Sequence, residues 1–378
     1  MAVVTDNGAN MVAAVHKAGW RHYPCFAHTL NLVVKDSLKA VPEVVQILGK
    51  CSTIVSFFHH STKATEKLRA VQQQMKIAEH KLIQSVETRW NSVFYMLDRL
   101  HEQHEVVTTV LCLLGRSELC INVGELSIIT QTVDALRPFE EVTREVSSEK
   151  YVSVSKVIPL VSLLQRACKH QGSSVATQLA QQCQRRFAGI ETNHSLAAST
   201  FLDARFKYLG FQDKNNAEGM KKRLSSELKE VYQTVESTPT PTPSSALHTS
   251  SSASAPSSQS PALAPDSAAT KVGLWADFDT QVASSQHHRS ATTDVIIEMR
   301  RYSEEKLIPR DKDPLVWWQE HHQTFPGLSK LAVKYLGIVA TSVPAERMFS
   351  KAGEVVSKKR NRLKGKTVNM LLFLNKNL

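Results

Sequence analysis

The sequence predicts a mainly α-helical protein that opens with a short α/β segment. From about residue 101 to 236 apolar side chains recur at helical spacing almost throughout, as at Val133, Leu136 and Phe139. Two short runs near Val3 and Tyr23, rich in β-branched or aromatic residues, are the candidate strands. Two strands do not form a stable sheet by themselves, so helices must supply most of the core.

Asp6 stands where the first predicted strand gives way to a helix. The Asn7-Gly8 dipeptide after it is a strong turn signal, and a helical pattern follows over residues 9–15. Such a junction is a common place for a catalytic carboxylate. An Asx turn or a helix cap would explain the same residue without any chemistry. The second strand is predicted over 22–26, and a helix follows it over 27–38.

Composition divides the chain into five parts. The α/β segment is predicted over residues 1–100 and an all-helical domain over 101–236. Residues 237–270 hold a single charge and almost nothing large to bury, so ordering them would cost more entropy than packing returns. We predict a disordered linker there, a connecting helical segment over 271–313 and a compact helical unit over 314–378.

The unit after the linker carries clear helix signals. Asp313 and Pro314 form an N-cap and first-turn pair for a helix that contains Trp318. One apolar stripe predicts the next helix and consists of Leu328, Leu331, Ala332, Tyr335, Leu336 and Val339. The last helix, from Thr367, is apolar around most of its circumference, and its side chains include Leu371, Leu372, Phe373 and Leu374. A helix of this kind needs cover on more than one side, which predicts a partner chain.

Charge and cysteine usage limit the classes of partner. A formal charge of +11 and a pI near 9.3 favour polyanions, nucleic acid before membrane. The longest apolar run, over residues 106–114, is too short to span a bilayer. No signal peptide begins the chain and the six cysteines lack the spacing of a disulfide framework. We expect a soluble, intracellular protein with reduced thiols and no membrane partner.

Six segments, taken in order, identify a family. The segments TDNGANM, CFAHTLNLVV, TRWNS, FLDARFKYL, DPLVWW and SVPAERMFSKAGEVVSKKRNRLKGKTVNMLLFLNKNL resemble the transposase core of the hAT superfamily, in particular the BED-type zinc-finger proteins derived from such transposases. The likeness runs nearly end to end. FLDARFKYL departs from the family's Leu-Asp-Pro-Arg-Phe-Lys because Ala204 replaces the proline, and we expect Asp203 to be structural.

The resemblance implies a ribonuclease-H-like fold interrupted by a long helical insertion. It also implies three acids that hold two divalent metals, magnesium or manganese, for DNA cleavage and strand transfer. Asp6 matches the second acid and Glu346 the third, whereas the strand that bears the first acid and the N-terminal BED finger have no counterpart in this sequence. We therefore expect a truncated, catalytically incomplete remnant without a cofactor. Glu346 could equally be a first-turn acid favoured by the helix dipole.

Other matched residues suggest contacts near the site. Cys25 and His28 match a Cys-x-x-His that lies near the family's active site; alone it is half a zinc site, and no second pair follows at finger spacing. Arg89 and Trp90 match an Arg-Trp pair whose tryptophan stacks on an unpaired base, a role that suits a ring on an exposed loop. Without the resemblance, Trp90 would be assigned to the core.

A basic segment near the C-terminus is the second candidate for DNA contact. Between Arg347 and Lys366 there are eight Lys or Arg residues against one acid, and the cluster holds Lys358, Lys359, Arg360 and Arg362. It fits a phosphate-contacting patch or a nuclear import signal, and a solvated helix end fits equally well. The resemblance further implies that the C-terminal helices dimerise, and we assign Trp318 to that interface together with residues 371–374.

These observations predict a transposase-derived nuclear protein that forms a homodimer through its C-terminal helices and binds DNA without sequence preference. One alternative is a fragment of an active metal-dependent hAT transposase. Another is a transcription regulator that acts as a ligase for the modifier SUMO, as some proteins of this architecture do. The sequence has no RING-like Cys/His array that would support the ligase.

Overall fold

A computed structural model describes residues 2–86, 89–147, 154–236, 278, 290–356 and 363–377. Strand β1 (Ala2–Thr5) and strand β2 (Arg21–Pro24) form a parallel pair, joined by helix α1 (Ala9–Lys17). Ala2 lies opposite Arg21, and Thr5 lies opposite Pro24. The second strand ends earlier than predicted because Phe26 already begins a helix.

The remaining described elements are helical, which confirms the mainly α prediction. The first group comprises α2 (Phe26–Lys39), α3 (Pro42–His60), α4 (Thr62–Gln74), α5 (Trp90–Glu102), α6 (His104–Leu113), α7 (Val123–Val146), α8 (Val157–His170) and α9 (Ser174–Arg186). The second comprises α10 (His194–Leu202), α11 (Lys214–Glu236), α12 (Ala291–Glu304), α13 (Pro314–Glu320) and α14 (Pro326–Leu336). A third comprises α15 (Val343–Val355) and α16 (Gly365–Asn377). Short 3-10 turns cover Ser117–Leu119, Val154–Lys156 and Lys207–Gly210.

Helices α2 to α9 enclose the first hydrophobic core. Leu30, Ile54, Leu100 and Phe139 are fully buried in it. The predicted domain boundary at residue 100 falls inside α5 and inside this core. Among the described helices no single one has the length and apolar composition to cross a membrane; only α2 and α3 taken together do, and the chain bends by 99° between them.

A second core joins helices from both sides of residues 237–289. It packs α10 and α11 against α12, α13 and α14, with Tyr302 and Phe325 buried at its centre. The predicted N-cap is confirmed, because an Asp313 side-chain oxygen accepts a hydrogen bond from Leu315 N at 2.8 Å. Val339 is a correction: α14 ends at Leu336, so Val339 leaves the predicted stripe and is 54% exposed. The predicted linker, 237–270, lies outside the described residues.

Trp318 is a second correction, since it belongs to this core and not to an interface with another chain. Its side chain is only 3% exposed, and Nε1 donates a 2.8 Å hydrogen bond to Leu202 O. The ring also stacks on Tyr302, with 5.2 Å between ring centroids. A tryptophan side chain is best placed where its apolar ring is covered and its N–H group has a hydrogen-bond acceptor. This chain supplies the cover and the acceptor.

The FLDARFKYL segment of the second core contains a buried ion pair between two of its own residues. Arg205 Nη2 lies 2.6 Å from Asp203 Oδ2, and both side chains are buried. Ser155 Oγ donates to the same carboxylate oxygen at 2.5 Å, and Arg205 N donates to Oδ1 at 3.0 Å. The prediction that Asp203 is structural is therefore confirmed.

Lys207 completes this segment and binds the end of α12. Its φ of +46° is a strained conformation for a residue with a side chain. The ammonium group donates to Tyr302 O at 2.7 Å and to Glu305 O, and it lies 4.5 Å from the centre of the Tyr302 ring. Burial lowers the pKa of Lys207 to about 8. The lysine therefore acts as a buried cap for the carbonyl groups at the helix C-terminus.

The buried ion pair generates a stability prediction. Replacing Arg205→Leu leaves the Asp203 carboxylate buried without its cation, and this should lower the free energy of unfolding by about 3–5 kcal/mol. Urea unfolding followed by circular dichroism measures the change. The matched control is Arg300→Leu, which breaks a pair with Glu304 whose side chains are both more than half exposed. The control should leave the unfolding midpoint nearly unchanged, and equal effects of the two variants would contradict the prediction.

Candidate functional site

An open cavity of about 370 Å³ brings together four segments that are far apart in the chain. Helix α2 contributes its first turns, the start of α5 and the residue before it form a second wall, and α7 and the first turn of α15 complete the lining. The lining residues are Cys25, Ala27, His28, Asn31, Arg89, Trp90, Asn91, Thr143, Ser147, Val343 and Glu346. Five of the residues predicted from the sequence therefore share one cavity: Cys25, His28, Arg89, Trp90 and Glu346.

Backbone hydrogen bonds at the carboxyl end of the sheet hold these segments in place. Cys25 N donates to Thr5 O at 2.7 Å, which extends the strand pairing by one residue. Phe26 N donates to Ala340 O at 2.9 Å, and Ser342 N donates to the sulfur of Cys25 at 3.3 Å. The chain that enters α15 is thus attached to the start of α2. Glu346 reaches the cavity because of this attachment.

Asp6 directly follows β1 at the same end of the sheet but does not line the cavity. Its Oδ1 accepts a hydrogen bond from Gly8 N at 3.1 Å, and Asn7 adopts a φ of +67° in the turn. This geometry is the Asx turn that the sequence left open as an alternative.

Glu346 lies in the first turn of α15, where a negative charge is favoured by the helix dipole. One carboxylate oxygen accepts a hydrogen bond from Ser342 Oγ at 2.6 Å, and the side chain is exposed. Both observations agree with the local explanation of Glu346 as a first-turn acid. The residue also lines the cavity.

The donor groups do not fit the two-metal centre that the resemblance implies. Two divalent ions need carboxylates that bridge and flank them. Glu346 is the one carboxylate among the cavity's lining residues, and Asp6 is engaged in its own turn. Within the described ranges no group of three or more His, Cys, Asp or Glu side chains is arranged to hold a metal ion.

Cys25 and His28 occupy the first turn of α2 and the residue before it. Cys25 is the N-cap, is 1% exposed, and its sulfur accepts the bond from Ser342 N. His28 is half-buried. The cysteine sulfur therefore has an internal partner, which joins the C-terminal segment to the sheet.

Trp90 corrects an expectation. It is the first residue of α5 and is 3% exposed within the first core, so it does not lie on an exposed loop. A ring in this position cannot stack on a base unless it leaves the core. Arg89 is exposed at the cavity, and its carbonyl accepts a hydrogen bond from Ser92 Oγ at 2.6 Å. Of the pair, Arg89 is the residue that a bound phosphate could reach.

Asn31 is the residue that sequence reasoning missed. Its Oδ1 is buried in the cavity wall without a hydrogen-bond partner among the described residues. A buried acceptor of this kind is costly unless a ligand or water satisfies it. The signal was present in the sequence, because Cys25, His28 and Asn31 recur every three residues and so share one side of a helix.

The other predicted dimer residues, 371–374, lie on α16, which contacts α15. We call these two helices the C-terminal hairpin. No residue of either helix is buried. Phe349 is 76% exposed and Phe373 is 66% exposed, while Met370, Leu371 and Leu374 are also exposed. Leu372 is half-buried. The predicted phosphate-contacting residues Lys358, Lys359, Arg360 and Arg362 lie outside the described residues.

Two regions of the chain match known protein families. Residues 298–378 match the hAT family C-terminal dimerisation region, which contains the hairpin and α13. Residues 23–117 match the ZBED1 RNase-like helical domain, which contains the start of α2 and the Arg89-Trp90 pair.

Relatives in animals and plants extend the likeness over the whole chain. Zinc finger BED domain-containing protein 4 of Homo sapiens is 30% identical over 99% of this chain and 31% of its own length. Zinc finger BED domain-containing protein 6 of Mus musculus is 28% identical over 100% of this chain and 40% of its own length. A putative AC transposase of Zea mays is 24% identical over 97% of this chain and 45% of its own length.

This chain therefore spans less than half the length of these relatives. The matched regions and the relatives agree with the resemblance carried by the six sequence segments. Together they support a hAT-derived protein of the BED-type zinc-finger group.

Proposed function

We propose that this chain is a nuclear DNA-binding protein that dimerises through its C-terminal hairpin and has no working transposase site. The observation that carries the proposal is the exposed apolar surface of the hairpin within the region matched to hAT dimerisation. Exposed apolar surface of this kind on a soluble chain marks an interaction site. A second copy of the hairpin has the same apolar side chains and would bury them in a symmetric contact.

Charge supports DNA as the partner. The net charge of +11 favours a polyanion, and the segment from Arg347 to Lys366 carries eight of the cationic residues. The exposed residue Arg89 lines the same cavity as Asn31, whose Oδ1 is a buried acceptor. Contacts of cations with phosphates carry no sequence information, so binding should be non-specific.

Local hydrogen bonding supports the absence of catalysis. The carboxylate of Asp6 accepts a hydrogen bond within the turn after β1, and the carboxylate of Glu346 accepts one at the start of α15. A third carboxylate would be needed to bridge two metal ions. The proposed role is therefore binding and assembly, with the cavity as a remnant of the transposase site.

Dimerisation is tested by the double variant Phe373→Ser/Leu374→Ser. It removes two exposed apolar side chains from the hairpin and should convert a dimer to a monomer at micromolar concentration. Multi-angle light scattering after size-exclusion chromatography gives the mass. The matched control is Leu163→Ser/Ile296→Ser, which changes two exposed apolar residues on α8 and α12. The control should remain dimeric, and a monomeric parent chain would refute the dimer.

DNA binding is tested by the triple variant Lys358→Glu/Lys359→Glu/Arg360→Glu. If these residues contact phosphates, the slope of log affinity against log salt should become shallower by about 2–3, because each contact contributes about 0.9. Filter binding with random-sequence duplex measures the slope. The control Lys214→Glu/Lys222→Glu/Lys229→Glu changes the net charge equally on the exposed face of α11. Equal slopes for the two variants would show that net charge, and not this segment, governs binding.

The absence of catalysis is tested by incubation with magnesium or manganese and a duplex of random sequence. We expect no metal-dependent nicking by the parent chain, Asp6→Ala or Glu346→Ala, because the carboxylates do not form a two-metal centre. Denaturing electrophoresis reports the nicks. Nicking by the parent that disappears in both variants would restore the transposase-fragment alternative, whereas nicking that persists in both would come from a contaminating nuclease.

A further inference from the structure

We propose that Cys112 and Cys120 form a dithiol site that small-molecule disulfides, such as glutathione disulfide, oxidise to an intramolecular disulfide. The two sulfurs lie 3.7 Å apart, although the residues are eight positions apart in the chain. The observation is independent of the cavity and of the C-terminal hairpin.

The end of α6 brings the two thiols together. Gly115 adopts a φ of +67°, which reverses the chain after the helix. Gly115 N donates to Cys112 O at 3.1 Å, and Arg116 N donates to Leu111 O at 2.8 Å. The 3-10 turn over Ser117–Leu119 then returns the backbone to α6. A disulfide has a sulfur–sulfur distance of about 2.05 Å, so the sulfurs need to approach by about 1.6 Å through side-chain rotation.

Neighbouring elements hold this loop in position. Lys50 Nζ donates to Cys120 O at 2.8 Å and forms a 2.6 Å salt bridge with Glu125 at the start of α7. The guanidinium of Arg116 lies 4.9 Å from the centre of the Phe57 ring on α3. The arrangement of the two thiols is therefore set by contacts with α3 and α7, and the oxidised loop would keep these contacts.

Exposure makes the site selective. Cys112 is exposed and Cys120 is half-buried, whereas the other four cysteines are each at most 4% exposed. Burial also raises the pKa of Cys51 to about 12 and the pKa of Cys168 to about 11, so little reactive thiolate forms there. A small disulfide in solution would meet Cys112 first.

The reaction proceeds in two exchange steps. The Cys112 thiolate attacks one sulfur of glutathione disulfide, which forms a mixed disulfide and releases one glutathione thiolate. Cys120 then loses its proton to solvent, and its thiolate attacks the Cys112 sulfur and releases the second glutathione thiolate. Two protein thiols are oxidised to one disulfide, and one glutathione disulfide is reduced to two glutathione molecules.

The test is to treat the full chain with excess glutathione disulfide, quench with acid and measure the intact mass. The mass should fall by about 2 Da, which is the loss of two hydrogen atoms. Trypsin cleaves after Arg116, between the two cysteines, so the oxidised chain should yield two peptides joined by a disulfide. Dithiothreitol should separate them.

Single variants and an unfolded sample complete the experiment. Cys112→Ser and Cys120→Ser should lose the mass decrease and instead keep one glutathione on the remaining thiol, whereas Cys168→Ala should react like the parent. In urea the selectivity for this pair should fall because buried cysteines become accessible. A native parent chain that accumulates glutathione adducts without the mass decrease, or that links another pair, would overturn the proposal. The parent result is decisive even if a variant fails to fold.

Discussion

The second core depends on the interactions of one buried group, the carboxylate of Asp203. Arg205 neutralises its charge and Ser155 donates to it, so the turn after α10 has one defined shape. A carboxylate at this depth is tolerated only with such partners. The last residues of α10 and the turn after it present backbone carbonyls to the part of the chain that follows residue 290. The bonds are Tyr302 Oη to Phe201 O, Trp318 Nε1 to Leu202 O and Ile308 N to Ala204 O.

The candidate site depends on this core in turn. Packing of α14 in the second core determines where the chain leaves it, at Leu336, and residues 338–342 then run to the start of α2. Ala340 O accepts a hydrogen bond from Phe26 N there, and Glu346 lies in the first turn of α15, which begins three residues after Ala340. A change at Asp203 could therefore displace Glu346 without any contact between them. The cavity is a tertiary feature that both cores are needed to build.

Local elements could be predicted from the sequence, but the tertiary packing of their side chains could not. Helical periodicity and the Asp313 cap depend on nearby residues, so they were found. Trp90 and Trp318 were assigned to contacts outside the chain because a motif records which residue is present and not what covers it. Large rings are buried wherever the fold offers apolar cover, and both tryptophan rings are buried within this chain.

The candidate site shows the same division between local and distant information. The approach of Cys25, His28 and Asn31 could be predicted, since a spacing of three residues is a helical signal.

The proximity of Cys112 and Cys120 could not be predicted, because it requires a helix that ends at Leu113 and a chain reversal at Gly115. The ribonuclease-H-like origin of the first segment stays a prediction, since the described strands form a single pair.

The C-terminal hairpin contrasts with the two closed cores, and the contrast connects the two proposed activities. Isolated helices of 13 residues, the length of α15 and of α16, are marginal in water unless an apolar face is covered. A second hairpin would supply that cover. Residues 358–362, which include four Lys or Arg residues, lie between the two helices in the chain. Dimerisation would therefore bring two basic segments together, and the second would engage DNA at the high effective concentration set by the first. In this arrangement the apolar contact and the phosphate contacts would strengthen each other, so assembly and DNA binding would be thermodynamically coupled.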